Sequence, residues 1–187
     1  LDQSGLKWKS YCINIPQETG KAKAVKVGDI NGDGKLDLVH TTNTYEDENK
    51  AGIYWLSYLN KPTDSQWIWH ELSGLEGYKF DRIELLDIDG DGDLDIIDLT
   101  YEYKPNKVYE NNGSGVFTDS GQSLGSAGST AVSLGDIDGD GDLDMIVGNA
   151  NEADAVWINN GSGVFTDSGQ SLGSDNTTGI DLGDLNG

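Results

Sequence analysis

The sequence predicts an all-β protein built from β-propeller blades, each a four-stranded antiparallel meander, with three full blades and partial blades at both ends. Three observations lead to this prediction. An acidic, glycine-rich string recurs four times at intervals of 48 to 58 residues, a period typical of repeat architectures. Each full interval holds four short apolar runs separated by Gly, Asn, Asp and Ser. No apolar stripe of helical period reaches helical length.

The repeat divides the chain into five predicted units. The first is the last strand of a preceding blade, indicated by the alternating string WKSYCINI, and the last is the start of a further blade, indicated by TTGIDLGDLNG. In the third full blade the predicted strands are STAVSLGDI, LDMIVGN, AVWINN and VFTDSG. The string NNGSGVFTDSGQSLGS occurs unchanged at 111–126 and 159–174. The predicted units are residues 1–20, 21–76, 77–126, 127–174 and 175–187.

An acidic loop separates the first two predicted strands of each blade, at 29–37, 87–95 and 136–144. Counted from the first aspartate, positions 1, 3, 5 and 9 carry Asp or Asn, whose side-chain oxygens can converge on one point. Position 7 varies and includes Lys35, because a backbone carbonyl is the expected ligand there. Glycines at positions 4 and 6 permit a sharp wrap. Apolar residues at positions 2 and 8 are expected to pin the loop to the core.

A hard cation that takes six to eight oxygen ligands explains this pattern, and calcium fits it best. The loops contain no His or Cys, which disfavours zinc and softer metals. Magnesium prefers to keep waters in near-ideal octahedral geometry. An EF-hand shares the first three ligand positions but needs Glu at position 12 and flanking helices. Position 12 is His40, Asp98 or Val147, and the flanks are predicted strands, so the EF-hand interpretation fails.

The strings GDINGDGKLDLV, LDIDGDGDLDII and GDIDGDGDLDMIVGN resemble the FG-GAP or VCBS repeats of integrin-like β-propellers. In that family a calcium loop joins the first two strands of a blade, so the resemblance implies about three complete Ca²⁺ sites and an incomplete fourth. It also implies a secreted or cell-surface protein, since the family is mostly extracellular. Carried over by position, the implied metal sites are Asp29, Asn31, Asp33, Lys35 and Asp37; Asp87, Asp89, Asp91, Asp93 and Asp95; Asp136, Asp138, Asp140, Asp142 and Asp144; and Asp184 with Asn186.

Charge and composition exclude some partners. The net charge of −21, from 33 acidic and 12 basic residues, argues against nucleic acid or an anionic membrane surface. No stretch approaches the apolar length of a membrane span, so no membrane insertion is expected. The single cysteine, Cys12, cannot form an internal disulfide, and its alternating surroundings predict a small buried residue.

Three functions stay open. The first is a calcium-stabilised scaffold or adhesion module whose protein or glycan ligand is unknown. The second is a carbohydrate-binding, lectin-like propeller, suggested by the aromatic residues of the first blade, although the alternation in QWIWHEL favours packing. The third is part of a polysaccharide-active enzyme such as a lyase. Because His40 and His70 lie in no catalytic motif, no catalysis is expected. The aromatic residues concerned are Tyr54, Trp55, Tyr58, Trp67 and Trp69, joined by Trp8, Tyr101, Tyr103 and Tyr109.

The number of predicted blades bears on possible partners. Propellers close into a ring with about 4 to 8 blades, and three blades with a stray strand at each end cannot do so. Unclosed blades expose strand edges that pair readily with other strands. We therefore expect further blades of the same chain, or neighbouring subunits, to complete the ring.

Overall fold

The structure is a computed structural model that describes residues 9–15, 19–43, 52–74, 80–101 and 103–183. The predicted ligands Asp184 and Asn186, and the aromatic residue Trp8, lie outside these residues. All regular structure in the described residues is β-strand, and none of them belongs to a helix capable of crossing a membrane.

Twelve strands form three separate four-stranded antiparallel sheets, each in sequential order. The prediction of an all-β fold made of four-stranded blades is therefore confirmed. The sheets are named blade 1 (β1–β4), blade 2 (β5–β8) and blade 3 (β9–β12). The strands are β1 (Lys21–Gly28), β2 (Asp37–Asn43), β3 (Ile53–Ser57), β4 (Ile68–Glu71), β5 (Phe80–Leu86), β6 (Asp95–Thr100), β7 (Lys107–Asn111), β8 (Phe117–Asp119), β9 (Ser129–Gly135), β10 (Asp144–Asn149), β11 (Asp154–Asn159) and β12 (Phe165–Leu172).

The two larger apolar cores lie between neighbouring blades, and a smaller cluster around Tyr54 and Leu56 belongs to blade 1. Because successive residues of a strand point to opposite faces, β6 can serve two cores. Ile96 packs into the core shared with blade 1 and Ile97 into the core shared with blade 3, and neither is exposed. Blade 2 is thus buried on both faces. Among the described residues the three blades lie side by side and do not close into a ring.

The segments outside the three sheets contact them through both polar and apolar groups, among them Ile13, which packs against Tyr54 and Leu56 of blade 1. Residues 9–15 are not assigned as a strand, and the Trp69 Nε1–H donates to the Asn14 carbonyl at 2.9 Å. Residues 177–183 lie along blade 3, where the Thr177 N–H donates to the Asn149 carbonyl at 3.0 Å. The prediction that Cys12 is buried is wrong, because its side chain is exposed. The next residue, Ile13, packs against blade 1, but the segment pairs with no described strand and its thiol stays exposed.

Candidate metal centre

The three acidic loops occupy equivalent places, each between the first and second strand of a blade. The strand register closes each loop in the same way. The residue before the first aspartate pairs with the aspartate at position 9: Gly28 with Asp37, Leu86 with Asp95, and Gly135 with Asp144. Strands on both sides agree with the exclusion of an EF-hand. The glycines at positions 4 and 6 all have positive φ, between 69° and 98°, which other residues rarely adopt.

The aspartate at position 1 holds the wrap of each loop together. In the second loop, Asp87 accepts hydrogen bonds from the N–H groups of Gly90, at 2.9 Å, and Gly92, at 3.1 Å. Asp136 accepts the same two bonds, from Gly139 at 2.7 Å and Gly141 at 3.1 Å. In the first loop Asp29 accepts from Asp33 at 3.1 Å and Gly34 at 2.8 Å.

Positions 3 and 5 form a chain of local hydrogen bonds. Asp89 Oδ1 accepts from the Asp91 N–H at 3.2 Å, and Asp91 Oδ1 accepts from the Asp93 N–H at 2.9 Å. Asp138 and Asp140 make the equivalent bonds in the third loop, at 3.2 and 3.0 Å. These contacts engage one oxygen of each carboxylate with the backbone. They fix each side chain relative to the loop.

The aspartate at position 9 is buried in every loop, with relative exposures of 1% for Asp37, 1% for Asp95 and 0% for Asp144. Asp144 Oδ2 accepts from the Ile137 N–H at 2.8 Å, and its Oδ1 accepts from the Asn159 N–H at 2.9 Å. Burial raises the pKa of Asp37 and of Asp95 to about 6. A divalent cation beside these groups would favour the ionised form and reverse this shift.

Two of the loops bring three carboxylates into one cluster. Ligand oxygens of Asp87, Asp89 and Asp95 lie within 4.8 Å of one another, and Asp136, Asp138 and Asp144 form the same cluster in the third loop. Two oxygens bound to one calcium ion at 2.3–2.6 Å are at most about 5 Å apart. The donor set and spacing therefore fit a divalent cation. The carboxylates at position 5, Asp91 and Asp140, lie outside the two clusters.

The residues at position 7 lie beside a turn of their own blade. The Asp93 carboxylate contacts Gly113 in the turn between β7 and β8, and the Asp142 carboxylate contacts Gly161 in the turn between β11 and β12. Partial burial, together with the neighbouring carboxylates, raises the pKa of Asp93. These side chains are oriented towards the turn, which leaves the position 7 backbone carbonyl as the group that could serve a cation.

Two asparagines that the sequence analysis did not single out connect the acidic loops of adjacent blades. Asn111 Nδ2 donates to the Leu94 carbonyl of its own loop at 3.1 Å and to the Ile30 carbonyl of the loop in blade 1 at 2.8 Å. Its backbone N–H donates to Asp95 Oδ1 at 2.8 Å. The side chains of both asparagines, Asn111 and Asn159, are buried.

Asn159 repeats this arrangement one blade further on. Its Nδ2 donates to the Leu143 carbonyl at 3.3 Å and to the Ile88 carbonyl of blade 2 at 2.9 Å. The signal was present in the sequence, because both residues begin the duplicated string NNGSGVFTDSGQSLGS. The duplication by itself indicates only the period of the repeat.

The first loop differs from the other two. Lys35 Nζ lies 2.9 Å from Asp33 Oδ2, and this ion pair holds the pKa of the Asp33 carboxyl below its usual value. The strand register pairs Leu38 with Leu56 and Ile96 with Tyr109, which places Tyr58 where blade 2 has its linking asparagine. The first loop thus contains a positively charged side chain, Lys35, and its blade has no asparagine at the linking position.

The apolar residues at positions 2 and 8 of the loops differ in how far they are buried. At position 2, Ile30 and Ile88 are 1% and 3% exposed, because the next blade covers them. Ile137 is 36% exposed. At position 8, Leu36 and Leu143 are 62% and 39% exposed. Position 2 therefore pins the loop to the core where another blade follows among the described residues. At position 8 only Leu94 does so, since it is partly buried and packs against the core between blades 1 and 2.

The aromatic residues of blade 1 pack mostly against each other. Tyr54 and Trp55 are buried, and the Trp55 ring stacks on His70 with centroids 3.8 Å apart. Trp69 makes edge contacts with Tyr54, at 5.3 Å, and with His40, at 6.2 Å. Burial lowers the pKa of both histidines. These contacts explain the aromatic content of blade 1 by packing.

The chain is similar to several solved structures, one of which is a lectin. A lectin from Agrocybe aegerita, whose structure was described as the basis of specific recognition of non-reducing terminal N-acetylglucosamine, aligns with a TM-score of 0.49 and 20% sequence identity. The alignment covers 81% of this chain and 38% of the lectin. No curated protein matches the chain significantly.

The repeat itself gives a clearer relationship. The sequence profile of the FG-GAP-like repeat matches residues 87–147 and 136–187. Together these matches cover more than half of the chain, including both carboxylate clusters. Each begins at the first aspartate of an acidic loop, so the profile and the geometry identify the same repeating unit. The protein therefore belongs to the FG-GAP-like repeat family.

Proposed function

We propose that this chain is a calcium-binding β-propeller module of a secreted or cell-surface protein and acts there as a scaffold or adhesion domain without catalytic activity. The observation that carries the proposal is the pair of three-carboxylate clusters, at Asp87, Asp89 and Asp95 and at Asp136, Asp138 and Asp144. Each cluster combines two exposed or partly exposed loop carboxylates with one buried carboxylate, in a chain with a net charge of −21.

Calcium suits these clusters for two reasons. Its ligands are oxygens at 2.3–2.6 Å in flexible geometry, and the loops offer carboxylates and backbone carbonyls only. Close carboxylates also repel each other, so a bound divalent cation stabilises the folded loop. This stabilisation would extend to the interfaces between blades, because the buried aspartates share hydrogen bonds with the linking asparagines Asn111 and Asn159.

The histidines support a non-catalytic role. His70 stacks on Trp55 and its Nε2 lies 3.2 Å from Ser57 Oγ, while His40 packs against the edge of Trp69. These ring contacts account for both residues as structural groups. Assays for polysaccharide lyase activity with and without calcium test this part of the proposal, and calcium-dependent cleavage would contradict it.

Chelation is expected to destabilise the protein reversibly. We expect weak sites with dissociation constants of roughly 0.1 to 1 mM, typical of extracellular modules. At a tenfold excess of calcium over that constant, each occupied site adds about 1.4 kcal/mol to the free energy of unfolding. Thermal melting in EDTA, in calcium and in EDTA followed by excess calcium measures this. A melting temperature that is the same in all three solutions would contradict the proposal, and magnesium in place of calcium serves as the control.

The first loop is expected to bind calcium most weakly, because Lys35 pairs with Asp33 and Asn31 replaces a carboxylate. Lys35→Asp should therefore strengthen binding at this loop by about tenfold, since affinity follows the charge of the ligand set. Calorimetric titration of calcium measures it in a background in which Asp91→Ala and Asp140→Ala weaken the other loops. Lys61→Asp makes the same charge change at an exposed site outside the acidic loops. An equal gain from Lys61→Asp would show that net charge, not the loop, sets the affinity.

A further inference from the structure

The first strands of the three blades line a cleft of about 620 Å³. It is formed near the beginnings of β1, β5 and β9, whereas the acidic loops follow the ends of these strands. The lining residues nearest to the loops, Lys26 and Glu84, precede Asp29 and Asp87 by three residues, which corresponds to about 10 Å along an extended strand. The cleft is thus a different site from the carboxylate clusters.

The cleft concentrates positive charge in a strongly acidic protein. Three of the 12 basic residues line it, Lys23 and Lys26 from β1 and Arg82, the only arginine, from β5. Lys26 Nζ is paired with Glu84 Oε2 at 2.6 Å, and Lys23 also interacts within the protein. Because Glu84 also lines the cleft and pairs with Lys26, Lys23 and Arg82 give the lining its net positive charge. Arg82 is exposed, and no described side chain forms an ion pair with it.

The remaining lining combines hydroxyl groups with an aromatic ring. Thr130 lies in β9, where its hydroxyl donates to the Gly148 and Thr177 carbonyls and leaves its oxygen as an acceptor. Thr178 lies in the segment beyond blade 3, and Tyr101, which follows β6, is 41% exposed. Hydroxyl groups and an accessible ring suit a polyhydroxylated ligand with a flat apolar face. The volume is in the range of small-molecule sites, about 300 to 1,000 Å³, and is too large for one inorganic anion to fill.

We propose that this cleft binds an acidic saccharide of about two sugar units through a carboxylate on Arg82. The planar guanidinium offers paired N–H donors that match the two oxygens of a carboxylate. Lys23 adds to the attraction of the anion, and the hydroxyl groups and Tyr101 contact the sugar rings. The proposal does not depend on the calcium sites, because none of the groups that contact the ligand belongs to an acidic loop.

Calorimetric titration of the calcium-loaded protein with digalacturonate tests the proposal, with the neutral galactose disaccharide of the same linkage and succinate as comparison ligands. We expect digalacturonate to bind and the neutral disaccharide not to bind. Arg82→Gln should weaken binding by about tenfold or more. Raising the ionic strength from about 0.01 to about 1 M should weaken it too, since the Debye length falls from about 30 to about 3 Å.

Lys61→Gln removes one positive charge outside the cleft and should leave binding unchanged. The melting temperature of Arg82→Gln should equal that of the unmodified protein, since the side chain is exposed, and Lys23→Gln provides a second variant. Absence of digalacturonate binding, equal binding of the neutral disaccharide, or undiminished binding in both cleft variants would overturn the proposal. Succinate binding as tightly as digalacturonate would overturn the assignment to a saccharide.

Discussion

Replacing Asp144 by alanine is expected to lower the free energy of unfolding by about 3 to 5 kcal/mol, even in the absence of calcium. The Asp144 carboxylate is fully buried and accepts the N–H groups of Ile137 and Asn159. Alanine leaves the buried Asn159 N–H and the partly buried Ile137 N–H without this acceptor, and a buried group left so costs about 1 to 3 kcal/mol. The remainder comes from the cavity that the missing carboxylate leaves. Urea unfolding in EDTA measures this cost directly.

Asp140→Ala is the matched control, because it removes an acid from the same loop. The Asp140 side chain is exposed, and in the described residues its oxygen accepts the N–H of Asp142 within the loop. In EDTA we expect its effect to stay within about 0.5 kcal/mol. In calcium it should destabilise the protein, since it removes a charge that attracts the cation. Equal costs for the two variants in EDTA would contradict the structural role of Asp144.

The position 9 aspartates illustrate what the sequence could predict about the site. Their spacing within the repeat identified Asp37, Asp95 and Asp144 as candidate ligands, because cation binding imposes a local pattern. Their burial and their bonds to the end of the third strand follow from packing within and between blades. No local spacing encodes these contacts. The sequence therefore predicts the position 9 aspartates as candidate ligands. It does not predict that they also hold the strands together as buried hydrogen-bond acceptors.

The distinction between local signals and contacts between elements also explains where the other predictions agree with the structure and where they fail. The four-stranded blades could be predicted, since turn residues and short apolar runs are local signals repeated three times. The exposure of Cys12 could not be predicted. An alternating pattern indicates a half-buried strand only where another strand pairs with it, and the segment around Cys12 has no such partner among the described strands. Leu36 and Leu143 were expected to be buried from their apolar character, yet they are 62% and 39% exposed. Burial at these positions depends on neighbouring elements that the pattern of one repeat does not contain.

The linking asparagines give the second large expected effect. Asn159→Ala should lower the free energy of unfolding by about 2 to 4 kcal/mol, because it removes the donor to the buried Ile88 carbonyl and the donor to the Leu143 carbonyl. Asn111→Ala should act in the same way through Ile30 and Leu94. Urea unfolding in EDTA and in calcium measures both effects.

Asn160→Ala is the control for these substitutions, since Asn160 is exposed and bonds only within its turn in the described residues. We expect it to cost less than about 1 kcal/mol.

The linkage has a further consequence for calcium. Because Asn159 of blade 3 holds the position 2 carbonyl of the loop in blade 2, Asn159→Ala should weaken calcium binding at the Asp87 loop as well as at the Asp136 loop. Calorimetric titration in an Asp140→Ala background isolates the Asp87 loop from the third loop. Unchanged affinity there, or equal destabilisation by Asn159→Ala and Asn160→Ala, would show that the asparagines do not connect the loops energetically.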